Sequence, residues 1–380
     1  MNPCPTVRPL LSRLCLLGLL VCAAVAQPAC TQSPGSGSTD GSPGSGADLS
    51  VTLPSDEDLR GTGGTGGDLG TAPQDLSAPP DLRPPPTADE ACQASAAQSC
   101  TFQRDCQPNS FYNSYVDLAG CTAREKKRCL IEQALPGNAF TPLLRQRCTT
   151  ALSALTTCAQ YYDDAYKIAE CQVPGTLSDG AACGASAQCK SLYCQIDYTK
   201  TPSCGTCQPY VKAGEACDYT VPNFRFCALG TACQGPAGAK KCMPPVAKGG
   251  ACSADTVCQS MDACQGGTCQ PRLGAGSACD RAVEPCDYTK SLQCSPTTNK
   301  CEKLYSFTAA GTACTNGATT YPINLCGGSS ACSVPTGTGT CVAPANDGDT
   351  CAAPPGTPRC QWPATCTAGR CTFPDPGVCK

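Results

Sequence analysis

Apolar residues are spread along this chain in four distinct ways. Residues 14–26, LCLLGLLVCAAVA, form one apolar run. Residues 31–87 contain no run able to offset the entropy cost of ordering a chain. Residues 88–172 recover a helical period: Leu144, Cys148, Leu152, Leu155, Tyr162, Tyr166 and Ala169 recur at steps of three or four or their sums. Beyond residue 180 the period disappears, and the apolar residue that returns at near-regular intervals is cysteine.

The helical stretch has marked starts. TADE places Thr87 as an N-cap with Glu90 three residues on, a capping box, and TARE repeats the pattern with Thr122 and Glu125. Thr141-Pro142 gives an N-cap followed by proline at the first helical position. Pro136-Gly137 and Pro174-Gly175 act as stops. Eight of the 20 aromatic residues and eight cysteines (92, 100, 106, 121, 129, 148, 158, 171) lie between 88 and 172. That stretch therefore reads as a helical eight-Cys module stapled by four bridges.

From 180 to 380 six units follow, about 180–213, 214–248, 249–275, 276–310, 311–347 and 348–380. Each opens on Gly-x-[Ala/Thr]-Cys: GAAC, GEAC, GGAC, GSAC, GTAC, GDTC. The opening cysteines are 183, 217, 252, 279, 314 and 351, a period of 27 to 37 residues. The fixed glycine suits a turn with positive φ. Units two to six hold four cysteines each. By analogy with other small knots, first-to-third and second-to-fourth pairing is favoured, as Cys252–Cys264 and Cys258–Cys269, although sequence allows three connectivities. Unit one has five cysteines, and Cys379 stands outside the four-per-unit rule. A bridge from unit one to Cys379 closes the array into a ring. The rival is a local shuffle within units one, two and six or with Cys171.

Composition agrees with staples. There are 38 Cys and no His in 380 residues, with only 7 Phe, 3 Met and 1 Trp. Such a chain cannot bury one large core. The expected fold class is small disulfide-rich: a stapled helical module, then cysteine-rich repeats with little regular secondary structure. Each bridge in such a unit is worth about 2–5 kcal/mol. Without His, Ser-His-Asp and Cys-His sites and mixed Cys/His zinc sites are excluded. Net charge is −3, and residues 91–380 are close to neutral, so no nucleic-acid surface is indicated.

Residues 1–30 read as an export signal: Arg8 and Arg13 precede an h-region too short to span a bilayer comfortably. AVA at 24–26 fits ordinary cleavage, while QPAC offers Cys30 for lipidation; both remain open. Thirty-four cysteines follow Cys30, an even number. Residues 31–87 form a Pro/Gly/Asp-Leu linker expected to be disordered, with a reach of about 40 Å.

Residues 183–242 resemble the N-terminal cysteine-rich domain of Dickkopf proteins. The likeness rests on C-x5-C-x4-C at 183, 189 and 194, C-x2-C at 204 and 207, then Cys217, Cys227, Cys233 and Cys242. Dickkopf domains carry ten cysteines with an adjacent pair, whereas this stretch has nine. The whole order, with PGTLSDGAACGASAQCKSLYC and the tandem G-x-A-C units, resembles uncharacterised cysteine-rich lipoproteins of myxobacteria. That resemblance implies a cell-surface location and no particular activity.

Few side chains suggest chemistry. CGTC (204–207) lacks the strand before and helix after that a redox site needs, so two half-cystines are the expectation. Four-thiolate zinc needs paired knuckles, and there is one. NDGD (346–349) is similar to a calcium loop, but no Glu follows at the required distance, which leaves a turn. Arg124, Lys126, Lys127 and Arg128 form a basic cluster: a polyanion contact or a solvated helix face. Trp362, the sole Trp, is a contact residue or packs on a disulfide. No catalytic residue, cofactor or metal is expected. The expected function is non-catalytic: a secreted or surface-anchored binding or adhesion protein of the cell envelope, its partner a surface protein or polysaccharide. The alternative is a structural envelope or spacer protein without a specific ligand. Location is extracytoplasmic: outer membrane or cell-surface lipoprotein, or secreted.

Overall fold

The computed structural model describes residues 84–379 apart from 198–202, 219–225, 254, 260, 318–320 and 353–356. The export signal, the linker and Cys30 lie outside the described residues.

Five helices come first: α1 (Ala88–Cys106), α2 (Pro108–Ser114), α3 (Leu118–Gln133), α4 (Pro142–Ser153) and α5 (Cys158–Asp164). The α1 start carries the Thr87/Glu90 capping box. Thr141 caps α4, with Pro142 at its first position. The TARE reading needs correction. Asp117 caps α3 by accepting the Gly120 N–H at 2.7 Å, so Thr122 and Glu125 lie inside the helix. This earlier start puts Cys121, Glu125 and Cys129, four residues apart, on one buried face. The 144–169 periodicity also breaks. A second capping box, Thr157 with Gln160, starts α5 afresh after a gap at 154–157, and short turns at 165–167 and 169–171 replace a continuing helix.

Helices α1 and α3 pack as an antiparallel pair with two bridges, Cys92–Cys129 and Cys100–Cys121. The bridged positions are eight residues apart on each helix, which is about 12 Å of helical rise. Cys106–Cys158 ties the end of α1 to α5, and Cys148–Cys171 ties α4 to the last turn. Phe140, Cys148, Leu152, Ala165 and Cys171 make one small core, and Cys100, Phe111, Tyr115 and Cys121 a second.

With Cys204 and Cys379 set aside, the six units have four cysteines each and share one plan. Each ends in a short antiparallel pair in which the third and fourth cysteines face each other: Cys194 with Cys207, then 233 with 242, 264 with 269, 294 with 301, 332 with 341 and 366 with 371. These neighbours are not bonded to each other. The third bonds the first and the fourth bonds the second, as in Cys252–Cys264 and Cys258–Cys269. The same order holds in the other five units. The cysteines themselves make up most of the core of units one, two, four and five, and half of that of unit six.

The opening glycine has a fixed task. Gly180, Gly214, Gly249, Gly276, Gly311 and Gly348 all have φ between 78° and 87°. In each, its N–H donates to the carbonyl of that unit's fourth cysteine, as Gly276 does to Cys301 at 2.9 Å. A Cβ at Gly276 would meet nothing within 4 Å, so the demand is purely conformational. Gly276→Ala is expected to lower stability by about 1–2 kcal/mol, the cost of a left-handed L-residue. A urea midpoint unchanged by the substitution would count against the shared turn.

The units also hold the helices. Gly328 and Ser329 of unit five donate their N–H groups to Tyr112 O (2.9 Å) and Asn113 O (2.8 Å), and Ser329 Oγ donates to Ser114 O (2.9 Å). These are carbonyls of the last turn of α2, left without intrahelical donors. In unit one, Gln188 Nε2 donates to Pro136 O at 2.7 Å. Tyr288 of unit four meets Tyr162 edge-on.

Candidate functional site

A set of charged and aromatic side chains gathers where α3 meets units five and six. Arg124 projects from the second turn of α3. Its Nε donates to Trp362 O (2.9 Å), one terminal nitrogen to Gln361 O (2.8 Å), and the other to Asp347 Oδ1 (2.8 Å). The guanidinium carbon stands 4.8 Å from the Phe373 ring centroid. Lys127, one turn on, contacts the other Asp347 oxygen and lies 4.4 Å over the same ring. The Arg124 side chain is only 11% exposed. Burial raises the Asp347 pKa, but the hydrogen bonds from Lys127 and Arg124 outweigh it and hold the carboxyl below the usual range.

The rest of the basic cluster is also engaged. Lys126 pairs with Asp89 at the start of α1 at 2.7 Å. Arg128 pairs with Glu125 at 2.7 Å and more loosely with Glu132. Glu125 is buried and accepts the Tyr115 hydroxyl; burial and that carboxylate push the tyrosine well above its usual range. Arg124, Lys126, Lys127 and Arg128 therefore each have an acid partner, with Arg124 mostly buried and Lys127 about half exposed. They form a clamp, because acids from α1, α3 and the end of unit five (Asp347) face them.

Trp362 belongs to the same joint. Its ring packs on the core that contains the Cys100–Cys121 bridge, and its backbone N–H donates to Ser329 Oγ at 3.0 Å. Its indole N–H is buried and has no acceptor among the described residues, so packing holds the ring. Asp347 of NDGD is taken up by the clamp, and Asp349 accepts the Asn346 N–H at 3.0 Å within the turn. Neither acid is presented to a cation.

Every cysteine from Cys92 onward is in a disulfide. Three sulfurs gather within 4.8 Å in several units, but all are oxidised and none offers the thiolate that a zinc site requires. CGTC is split between two bridges: Cys207 with Cys189, and Cys204 with Cys379 at a Cα–Cα distance of 5.3 Å. The latter joins unit one to the C-terminal tail across 175 residues and closes the array covalently. It also supplies the partner missing from the nine cysteines of 183–242.

No family model, curated protein or solved structure matches the chain.

Sequence reasoning missed Asp347, Phe373 and Ser329 as parts of the joint. Their partners on α2 and α3 lie more than 200 positions away, and no local spacing marks such a pair. Thr157 with Gln160 was legible as a capping box, and Asp117 as an N-cap. The first was obscured by the 144–169 period running through it, and the second by the TARE box five residues on.

Proposed function

We propose that the protein is a non-catalytic, extracytoplasmic binding head carried at the cell surface. The observation behind this reading is the Cys204–Cys379 closure. An extended spacer gains reach by keeping its ends apart, and this array returns its C-terminal end to its first unit. The clamp on α3 holds the last unit in the same way. A cross-linked body of fixed surface suits recognition of a protein or polysaccharide better than spacing. Seventeen disulfides call for an oxidising compartment. No helix among the described residues is long and apolar enough to cross a membrane.

Cysteine pairing also bears on anchorage. All thirty-four cysteines after Cys30 are paired, so Cys30 is left over. That supports lipidation of Cys30, with residues 31–87 as the tether, in keeping with the lipoprotein likeness. The catalytic alternative has little to work with: the chain holds no His, and the buried Glu125 is tied to Tyr115 and Arg128.

The test is binding of labelled mature protein to purified surface polysaccharide and to protease-treated and untreated envelopes. Saturable binding at micromolar or lower concentration is expected. Binding no stronger than that of an unrelated disulfide-rich control would favour the structural, ligand-free reading.

A further inference from the structure

One bridge stands apart from the other sixteen. Cys204–Cys379 alone joins two units, while every other bridge lies within the helical module or within a single unit. It is also one of two bridges with neither half buried, the second being Cys252–Cys264. Exchange requires a thiolate to reach a disulfide sulfur, so accessible bridges are the ones that open.

The two accessible bridges behave differently once cleaved. Cys252 and Cys264 stay together, because the same unit keeps Cys258–Cys269 and the strand pair that sets Cys264 opposite Cys269. Cys379 has no second tie of this kind. It lies eight residues past Cys371, the nearest bridged position before it. The hydrogen bonds of residues 374–379 are internal: Gly377 N–H to Asp375 Oδ1 (2.9 Å), Val378 N–H to Asp375 O (3.4 Å) and Cys379 N–H to Pro376 O (3.2 Å). Packing alone seats this tail on the rest. Pro376 lies so close to Gly184 of unit one that a Cβ there would stand 2.3 Å from the proline Cβ and 2.5 Å from its carbonyl oxygen. The single turn Pro376–Val378 packs against α3, and Gly377 lies beside Leu135. Without the bridge, a tail held only by packing lowers the effective concentration of one thiol at the other, which favours the reduced pair.

We propose that Cys204–Cys379 is a redox latch, which a dithiol opens before any other bridge and which then frees the tail from unit one. A thiolate of the dithiol attacks one sulfur of the bridge, the S–S bond breaks, and the other sulfur leaves as a thiolate and takes up a proton. The second thiol of the reductant attacks the resulting mixed disulfide and releases the first sulfur as a thiol. The reductant ends as a disulfide and the latch as two thiols, with two electrons and two protons transferred. Exchange with a disulfide runs the same steps backwards and closes the latch. The open form uncovers Gly184 and Leu135, both covered by the seated tail, while the Arg124 clamp and the other sixteen bridges remain. This latch does not depend on what the binding head recognises.

The experiment is graded dithiothreitol on the native mature protein, followed by alkylation and peptide mapping. Cys204 and Cys379 are expected to be alkylated together, at a dithiothreitol concentration about tenfold below that which opens the next bridge. Replacing dithiothreitol with oxidised glutathione is expected to restore the same pair. In the two-thiol form, hydrogen exchange is expected to quicken at residues 374–379 and at Leu135. Gly184→Ala, which pushes Pro376 off its seat, is expected to move the first step to lower dithiothreitol and to leave the later steps in place. Cys252–Cys264 or any other bridge opening first or at the same concentration, exchange unchanged in the two-thiol form, or an unmoved first step in Gly184→Ala would each overturn the latch. If Gly184→Ala does not fold, the order of opening and the hydrogen exchange of the unsubstituted protein decide.

Discussion

Replacing Arg124 with alanine is expected to loosen unit six from the helices and to cost about 3 kcal/mol, the lower end of the range for breaking a buried, hydrogen-bonded ion pair. Three donors are lost at once: those to Trp362 O, Gln361 O and Asp347. Lys127 remains on Asp347 and limits the loss. Arg124→Lys should recover only part of it, because an ammonium cannot serve two carbonyls and a carboxylate with fork geometry. The loss should be local. Hydrogen exchange is expected to quicken at residues 357–373 and on the facing turns of α3, and to stay unchanged in units two and three. Acid adds a second signature. Asp347 has a depressed pKa in the folded state. Its contribution is therefore present above the ordinary Asp value of about 3.9 and is lost as pH falls through the folded value. The difference between wild type and Arg124→Ala should narrow below about pH 4. A difference that is flat down to pH 2 would show that Asp347 is not the partner that matters.

Removing the ring closure is the second large effect. In the loop-entropy account, the stabilisation from a bridge grows with the loop it closes in the unfolded chain. The direct separation here is 175 residues. The intervening bridges shorten the path to roughly 100 residues, which corresponds to about 4–5 kcal/mol as an upper figure. Cys204→Ala/Cys379→Ala is therefore expected to lose about 3–5 kcal/mol with the other sixteen bridges intact. Neither cysteine of this bridge is fully buried, so the double variant leaves no large cavity. The single variants are expected to be worse than the double, because each leaves a reactive thiol near other disulfides. A double variant with an unchanged urea midpoint would mean that the ring contributes no stability beyond the clamp.

Which features were legible follows from how far apart their causes lie in sequence. The Thr87/Glu90 box and Thr141-Pro142 are complete within four residues, and they start helices where expected. The Gly-x-x-Cys openings are equally local, and all six adopt the same positive φ. The long-range bridge was legible for a different reason. Cysteines must pair, so an odd count in unit one and a leftover at 379 define each other without any structural knowledge. Arg124 had no such rule. A guanidinium on a helix face looks the same in sequence whether it meets solvent or Asp347, and its four-residue basic run favoured readings about charge density. Its partner acid sat in a turn that was weighed only as a calcium loop. Trp362 was open between contact and packing because its burial depends on Ser329 and the Cys100–Cys121 core, each supplied by a different part of the chain.

The central claim is that a fully oxidised set of seventeen bridges staples the helical module and the six units separately, and closes the units into a ring through Cys204–Cys379. Peptide mapping of the non-reduced mature protein by mass spectrometry tests it most directly, with thiols blocked before digestion. The account predicts no blocked cysteine among positions 92–379, Cys252 linked to Cys264, Cys258 linked to Cys269, and one peptide pair joining Cys204 to Cys379. A C-terminal peptide found linked within unit six, or Cys204 linked to unit two or to Cys171, would contradict it.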